Sequence, residues 1–405
     1  MKKYATIIGI FILMIQFYSF GQGSTYTGKF TESNPIKWDG VTNQTISQLK
    51  IVNPSGHCIS LCNCSNITIQ NCKLGPSKNE GVYLYNCSNI TVINNSMDSI
   101  DSGVVADGCT GIKVIHNDVK NVQGPMPRGQ MVQFGNVNGT GNSISYNVVE
   151  NIQGQSFPED EISLYMSNGT PEDPIKVIGN WIRGGGPSTS GGGIMTGDMG
   201  GSYIVVQDNI LVNPGQYGIT ISSGDHIEIS NNIIFSDQQP YSNIGLSAYK
   251  QYDIVTTANT IMNNQVNFKN KDGVLNCLWN AGNCGDITGW DTNMHNSNLN
   301  ASILPVKIIG RASGTLTDAV LPLNNNTLEI YPVPAYDHLT IKAATSISNV
   351  QLVIYDMKGS IQIEQSFNGN TAEINTSKLS GGIYILKILK ENQLLEEKKI
   401  VIGRK

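Results

Sequence analysis

Three consecutive acids, Glu159-Asp160-Glu161, stand directly before the alternating run Ile162-Ser-Leu-Tyr165. Carboxylates at that density supply hard oxygen ligands for calcium, and they can equally form a general acid and base across a scissile bond. Asp198 ends the corresponding run one repeat later, Ile194-Met-Thr-Gly197, and is the nearest further carboxylate. Arg128, Arg183 and Lys250 are the cations expected beside these acids. A guanidinium can hold a carboxylate or sulfate through two parallel hydrogen bonds. If Val132, Phe134, Ile162 and Leu164 point inward, Gln133, Glu161, Ser163 and Tyr165 point outward. Trp181, Tyr217 and Tyr249 offer aromatic faces to sugar rings. The expected catalytic set is therefore Tyr165, Lys250, Arg183, Glu161 and Asp198, with Arg128, Gln133, Trp181, Tyr217 and Tyr249 binding substrate. Glu159, Asp160 and Glu161 are the candidate calcium ligands. His226 opens a core strand and reads as structural.

What positions these residues is a repeat. Ile67-Thr-Ile-Gln-Asn-Cys, Ile90-Thr-Val-Ile-Asn-Asn, Ile112-Lys-Val-Ile-His-Asn, Ile175-Lys-Val-Ile-Gly-Asn, Ile204-Val-Val-Gln-Asp-Asn and Ile227-Glu-Ile-Ser-Asn-Asn align. One column reads Cys72, Asn95, Asn117, Asn147, Asn180, Asn209, Asn232 and Asn259, at spacings of 23, 22, 30, 33, 29, 23 and 27. A period near 22 with alternating Ile and Val predicts one coil of a parallel β-helix, in which period-two apolar side chains fill the interior. Asparagine suits the turn column because it tolerates left-handed backbone and its amide can bond the next coil. Cys64, Cys87 and Cys109 recur at the same interval and are expected to stack as small apolar residues. Cys277 and Cys284 lie after the last coil and are the expected disulfide.

The coils from Asn117 to Asn209 carry 7 to 11 residues more than the shortest. Their insertions lie at Gly124–Gly129, Gln155–Glu161 and Gly184–Gly192, with a fourth at Asp237–Tyr241. All follow the asparagine by a similar distance and should rise on one side. Loops beside a ridged strand face make an open groove suited to a linear polymer.

The ends of the chain say where it goes. A basic start, the apolar stretch Ile7 to Ile15 and the small-residue exit Ser19-Phe-Gly21 read as a signal peptide cleaved near Gly21. Loss of Lys2 and Lys3 takes the net charge from -5 to -7. A mildly acidic chain without a basic tract argues against nucleic-acid partners, and no later stretch is apolar enough to span a membrane. At the other end, Leu328-Glu-Ile-Tyr-Pro-Val-Pro-Ala335, Val350-Gln-Leu-Val-Ile-Tyr-Asp-Met-Lys-Gly359 and Leu379-Ser-Gly-Gly-Ile-Tyr read as short strands split by turns.

These last motifs resemble, in order, the C-terminal sorting domain of the type IX secretion system of Bacteroidota. The resemblance implies an outer-membrane translocon as partner and an extracellular or surface-attached product. The expected organisation is all-β: a leader (1–21), a right-handed parallel β-helix with an irregular cap (22–310), a linker (311–327) and a small β-sandwich (328–405). A monomer is expected. The solenoid resembles the β-helix polysaccharide lyases and hydrolases. Glu159-Asp-Glu-Ile is similar to the Glu-x-Glu-Ile run of the chondroitinase-B and alginate lyase family, which there supplies calcium ligands. Where that family has its catalytic lysine this chain has Met166, and its later Arg-His pair has no counterpart. The leading expectation is a lyase acting on a uronate-containing polysaccharide by β-elimination. A glycoside hydrolase using Asp160 or Glu161 with Asp198, and a non-catalytic glycan-binding or adhesive β-helix, are the alternatives.

Overall fold

In the computed structural model, the described residues are 23–310, 329–331, 335–356, 361–390 and 393–403. The expected leader and linker lie outside them. The chain forms two compact units, Met1–Thr315 and Leu316–Lys405.

The first unit is a parallel solenoid with three strand faces per coil. The first face runs from Ile36–Asp39 through Val82–Tyr85, Val132–Gly135 and Ile162–Asn168 to Tyr217–Ile221, Ile244–Ala248 and Leu278–Asn280. The second runs from Thr42–Ser47 to Thr260–Met262, and the third from Thr31–Ser33 to Met294–His295. Ile194–Gln207 continues without a break from the first face into the second. Register explains the interior. Val104, Val132, Ile162, Ile194, Ile219 and Leu246 pair strand to strand as one inward column, and each is at most 1% exposed. Full burial of one such side chain contributes about 1.5–3 kcal/mol.

The asparagine column is a hydrogen-bonded ladder. The backbone N–H of Asn147 donates to Asn180 Oδ1 at 3.0 Å, that of Asn180 to Asn209 Oδ1 at 2.9 Å, and that of Asn209 to Asn232 Oδ1 at 2.9 Å. The two roles expected of asparagine are divided between neighbours. Left-handed backbone falls on the preceding residue (Asn94, His116, Tyr146, Gly179, Asp208, Asn231 and Asn263, φ 54 to 66°). The ladder residue itself bonds the next coil. Its last steps differ from the expected alignment. Asn232 bonds Asn264, which bonds Asn293, because Glu228–Ser230 pairs with Thr260–Met262. Asn259 instead accepts from the Ile227 N–H. The penultimate coil is therefore 32 residues long, not 27.

Cys64, Cys87 and Cys109 stack as expected, each at most 3% exposed. Cys277 and Cys284 are not bonded; both are free thiols. The strand Leu278–Asn280 extends between them, with Cys277 Sγ against the Phe268 carbonyl and Cys284 buried beside Asn283.

The second unit is antiparallel. His338–Asp356 pairs with Glu329–Tyr331, Ile361–Asn375 and Gly382–Lys390, and the last of these pairs with Gln393–Ile402. Irregular register between Lys342 and Val350 divides the long strand into two segments. Leu339, Ile341, Leu352, Ile354, Ile374, Leu386 and Ile400 close over one core.

Candidate functional site

The insertions leave the third face and re-enter the first, so they rise along the same edge of successive first-face strands. They border a cleft of ≈ 640 Å³ whose floor is Ser163, Met195, Thr220 and Ser247. Met126, Pro127, Asp160, Ser190, Gln216 and Asn243 come from that edge, and Tyr249, Gln251 and Tyr252 from the other.

Asp160 lies within this cleft. Its Oδ1 accepts hydrogen bonds from the Tyr217 hydroxyl and, at 3.1 Å, from the Gly192 N–H. Burial pushes its carboxyl up to about 7, against those two bonds and with help from the nearby Glu159 and Asp198 charges. Asp198 comes from the next coil and accepts from the Tyr252 hydroxyl at 2.9 Å. Burial raises its carboxyl too, and the Tyr252 bond opposes that. Burial and the Asp198 charge push Tyr252 up to about 12, while burial and Asp160 hold Tyr217 well above the ordinary phenol range. The two carboxylates are thus held by two tyrosines in one cleft. Glu159 accepts from Ser190 Oγ at 2.6 Å.

Gln133, Tyr165, Tyr217, Tyr249, Glu159, Asp160 and Asp198 all line the cleft. Tyr217 is 4% exposed, so it acts through its hydroxyl rather than as an aromatic platform. Other expected residues lie elsewhere. Glu161 is 0% exposed and accepts from Asn151 Nδ2 at 2.8 Å; burial raises its carboxyl well above the usual range. The Glu159-Asp160-Glu161 run enters the strand with a turn, so Glu161 faces inward rather than alternating outward. Arg183 and Trp181 belong to the third face. Arg183 bonds Glu150 and the carbonyls of Leu304, Pro305 and Val306, and Trp181 packs in a cluster that includes Leu299 and Leu304. Lys250 pairs with Asp253 at 3.0 Å. Arg128 pairs through Nε with Glu80 at 2.7 Å and reaches the cleft's lining by donating to Gln133 Oε1 at 3.2 Å and to the Pro127 carbonyl at 3.5 Å. His226 stacks on Tyr203, away from the cleft.

The expected calcium ligands do not converge, because Glu161 points inside the coil while Glu159 and Asp160 bond separate partners. Among the described residues no group of three or more His, Cys, Asp or Glu side chains is gathered around a common point. Glu159, Asp160 and Glu161 therefore do not form the expected three-carboxylate calcium site.

Tyr252 and Trp279 were absent from the expected set. The penultimate coil's true length, hidden by the misplacement of Asn259 in the ladder, was the available signal for the loop that carries Tyr252.

Residues 35–198 match the family model described as right handed beta helix region, and residues 329–403 match the secretion system C-terminal sorting domain. The protein is a right-handed parallel β-helix with a C-terminal sorting domain. That domain marks it for type IX secretion to the cell exterior or surface. No helix among the described residues is long and apolar enough to cross a membrane. A similar curated protein is an endo-acting ulvan lyase of Formosa agariphila, 32% identical over 76 residues, or 18% of this chain and 14% of that protein. Among solved structures, the catalytic domain of a GH87 alpha-1,3-glucanase in complex with nigerose is 13% identical with a TM-score of 0.36, over 65% of this chain and 63% of that one. The tailspike protein gp49 of Pseudomonas phage LKA1 is 11% identical with a TM-score of 0.35, over 88% and 66%. The chain thus spans a small part of the lyase and less than two thirds of the glucanase domain.

Proposed function

We propose that this is a secreted polysaccharide-active protein, and specifically a glycoside hydrolase with Asp160 as general acid and Asp198 as base or nucleophile. The observation that carries this is the pair of carboxylates in one cleft with different surroundings, half-buried Asp160 bonded by the buried Tyr217 hydroxyl and Asp198 held by Tyr252. With its carboxyl pushed up to about 7, a substantial fraction of Asp160 carries a proton at neutral pH and can give it to the departing glycosidic oxygen. In its ionised form Asp198 is the partner that activates water or attacks the sugar carbon. The cleft holds acids and amides, while the chain's candidate cations are paired outside it. That charge balance favours a neutral glycan over a uronate polymer, whose carboxylates would meet Asp160 and Asp198.

A lyase is the second reading, favoured by Tyr165 facing the cleft beside Gln133. A tyrosine base and an amide at the uronate carboxylate would serve elimination without calcium.

One assay separates them. The purified full chain is incubated with laminarin, xylan, galactomannan and agarose, and with alginate, chondroitin sulfate and ulvan, each with added calcium or with chelator. Reducing ends that rise without the ultraviolet absorbance of unsaturated uronate ends support hydrolysis. Absorbance rising together with reducing ends rejects hydrolysis in favour of elimination. No new ends on any polymer leaves a glycan-binding β-helix.

A further inference from the structure

Beyond the acids, the floor of the cleft continues along the solenoid axis to an aromatic end. The outward column of the first face runs in unbroken register from Ser163 through Met195, Thr220 and Ser247 to Trp279. Parallel strands lie about 4.8 Å apart, so Trp279 stands about 14 Å along the axis from the coil that carries Asp198. That is further than a single sugar ring reaches.

Trp279 is 49% exposed. A lone exposed apolar side chain needs no explanation, but this one lines the same cleft as Asp160 and Asp198. Its ring also lies against Tyr249, with centroids 5.7 Å apart and planes tilted by 32°. Tyr249 is fixed from its other end by a 2.9 Å hydrogen bond from its hydroxyl to Gln251 Oε1. Between this platform and the acids the floor is low and polar, Ser247 Oγ donating to Thr220 Oγ1 at 2.8 Å. A flat aromatic surface at one end, hydroxyls along the floor and amides at the rim form a surface for the apolar face and hydroxyl edge of a pyranose.

We infer that Trp279 and Tyr249 form a remote sugar-stacking subsite, so that the groove engages several consecutive sugars on one side of the scissile bond. This deepens the hydrolase reading and rests on it for the position of the cut, but not for the binding itself.

The test is native electrophoresis of the full chain through gels containing each of the seven polymers named above. Asp160→Asn serves as the background, so that the polymer is not consumed. The expected result is retardation by at least one polymer, weakened about 10-fold in apparent affinity by adding Trp279→Ala, the equivalent of about 1.4 kcal/mol, and largely retained with Trp279→Phe. Unchanged far-ultraviolet circular dichroism shows that the variants fold. Equal retardation with and without Trp279, or no retardation by any polymer, overturns the subsite. Retardation that depends on Trp279 in a protein that releases no reducing ends leaves the subsite standing and removes the hydrolase reading. Cleavage without any dependence on Trp279 removes the subsite alone.

Discussion

The hydroxyl of Tyr217 donates a hydrogen bond to Asp160 from a strand two coils further along the solenoid. Their separation of 57 positions in the chain makes this contact a property of stacking, and it tempers the effect of burial on the acid in the cleft.

That bond favours the charged form of Asp160 and opposes the burial that pushes its carboxyl up to about 7. An acid that must be protonated gives a rate that falls as pH rises through its pKa. Hydrolysis is therefore expected to decline above about pH 7 in the parent chain. In Tyr217→Phe the carboxyl loses a stabilising donor, so the alkaline limb should move upward. A pH profile of kcat/KM checks both; an unmoved limb detaches Tyr217 from Asp160's titration.

Asp160→Asn and Asp198→Asn should each lower kcat by about 10²–10⁴-fold, the ordinary contribution of a positioned acid or base. Glu159→Gln, whose carboxylate bonds Ser190 at the rim, should cost far less. Initial rates of reducing-end release measure the difference.

Glu161 is buried with one carboxyl oxygen lacking any partner, and its pKa is raised. The unfolded chain therefore releases this proton first as pH rises. Stability is greatest below the unfolded carboxyl range and is lost progressively as pH climbs toward the folded-state value. Glu161→Gln removes the ionisation and keeps an acceptor for Asn151. The variant should melt higher than the parent at alkaline pH and show a flatter dependence of Tm on pH.

Arg183→Ala should leave kcat/KM unchanged and lower thermal stability, because the guanidinium ties Glu150 to the carbonyls of Leu304, Pro305 and Val306. A large loss of activity at unchanged stability would return Arg183 to the cleft.

Asn180→Ala should destabilise by about 1–3 kcal/mol in denaturant titration, since it leaves the buried Asn147 N–H without its acceptor. Thiol titration in denaturant without reductant should find all 8 cysteines free; a count of six would restore the Cys277–Cys284 bridge.

By itself the sequence determined the solenoid, its stacked asparagines and cysteines, the side on which the long loops rise, and the sorting domain. These are local and periodic: an Ile-x-Val alternation, a turn residue every coil, an excess length between them. Strand alternation from the core also turned Gln133 and Tyr165 outward, whereas Asp160 and Asp198 were named only as carboxylates at the two ends of neighbouring strands. Only the tertiary structure decided the orientation of Glu161, which turns inward where the loop enters the strand, and the face of Arg183 and Trp181, which period alone does not distinguish. It also decided the length of the penultimate coil, since Asn259 and Asn264 both offer an amide at a plausible spacing and strand pairing chooses between them. The site itself, Asp160 bonded by Tyr217 and Asp198 bonded by Tyr252, arises from contacts 57 and 54 residues apart. Coil stacking brings those side chains together, and no spacing within a single repeat encodes it.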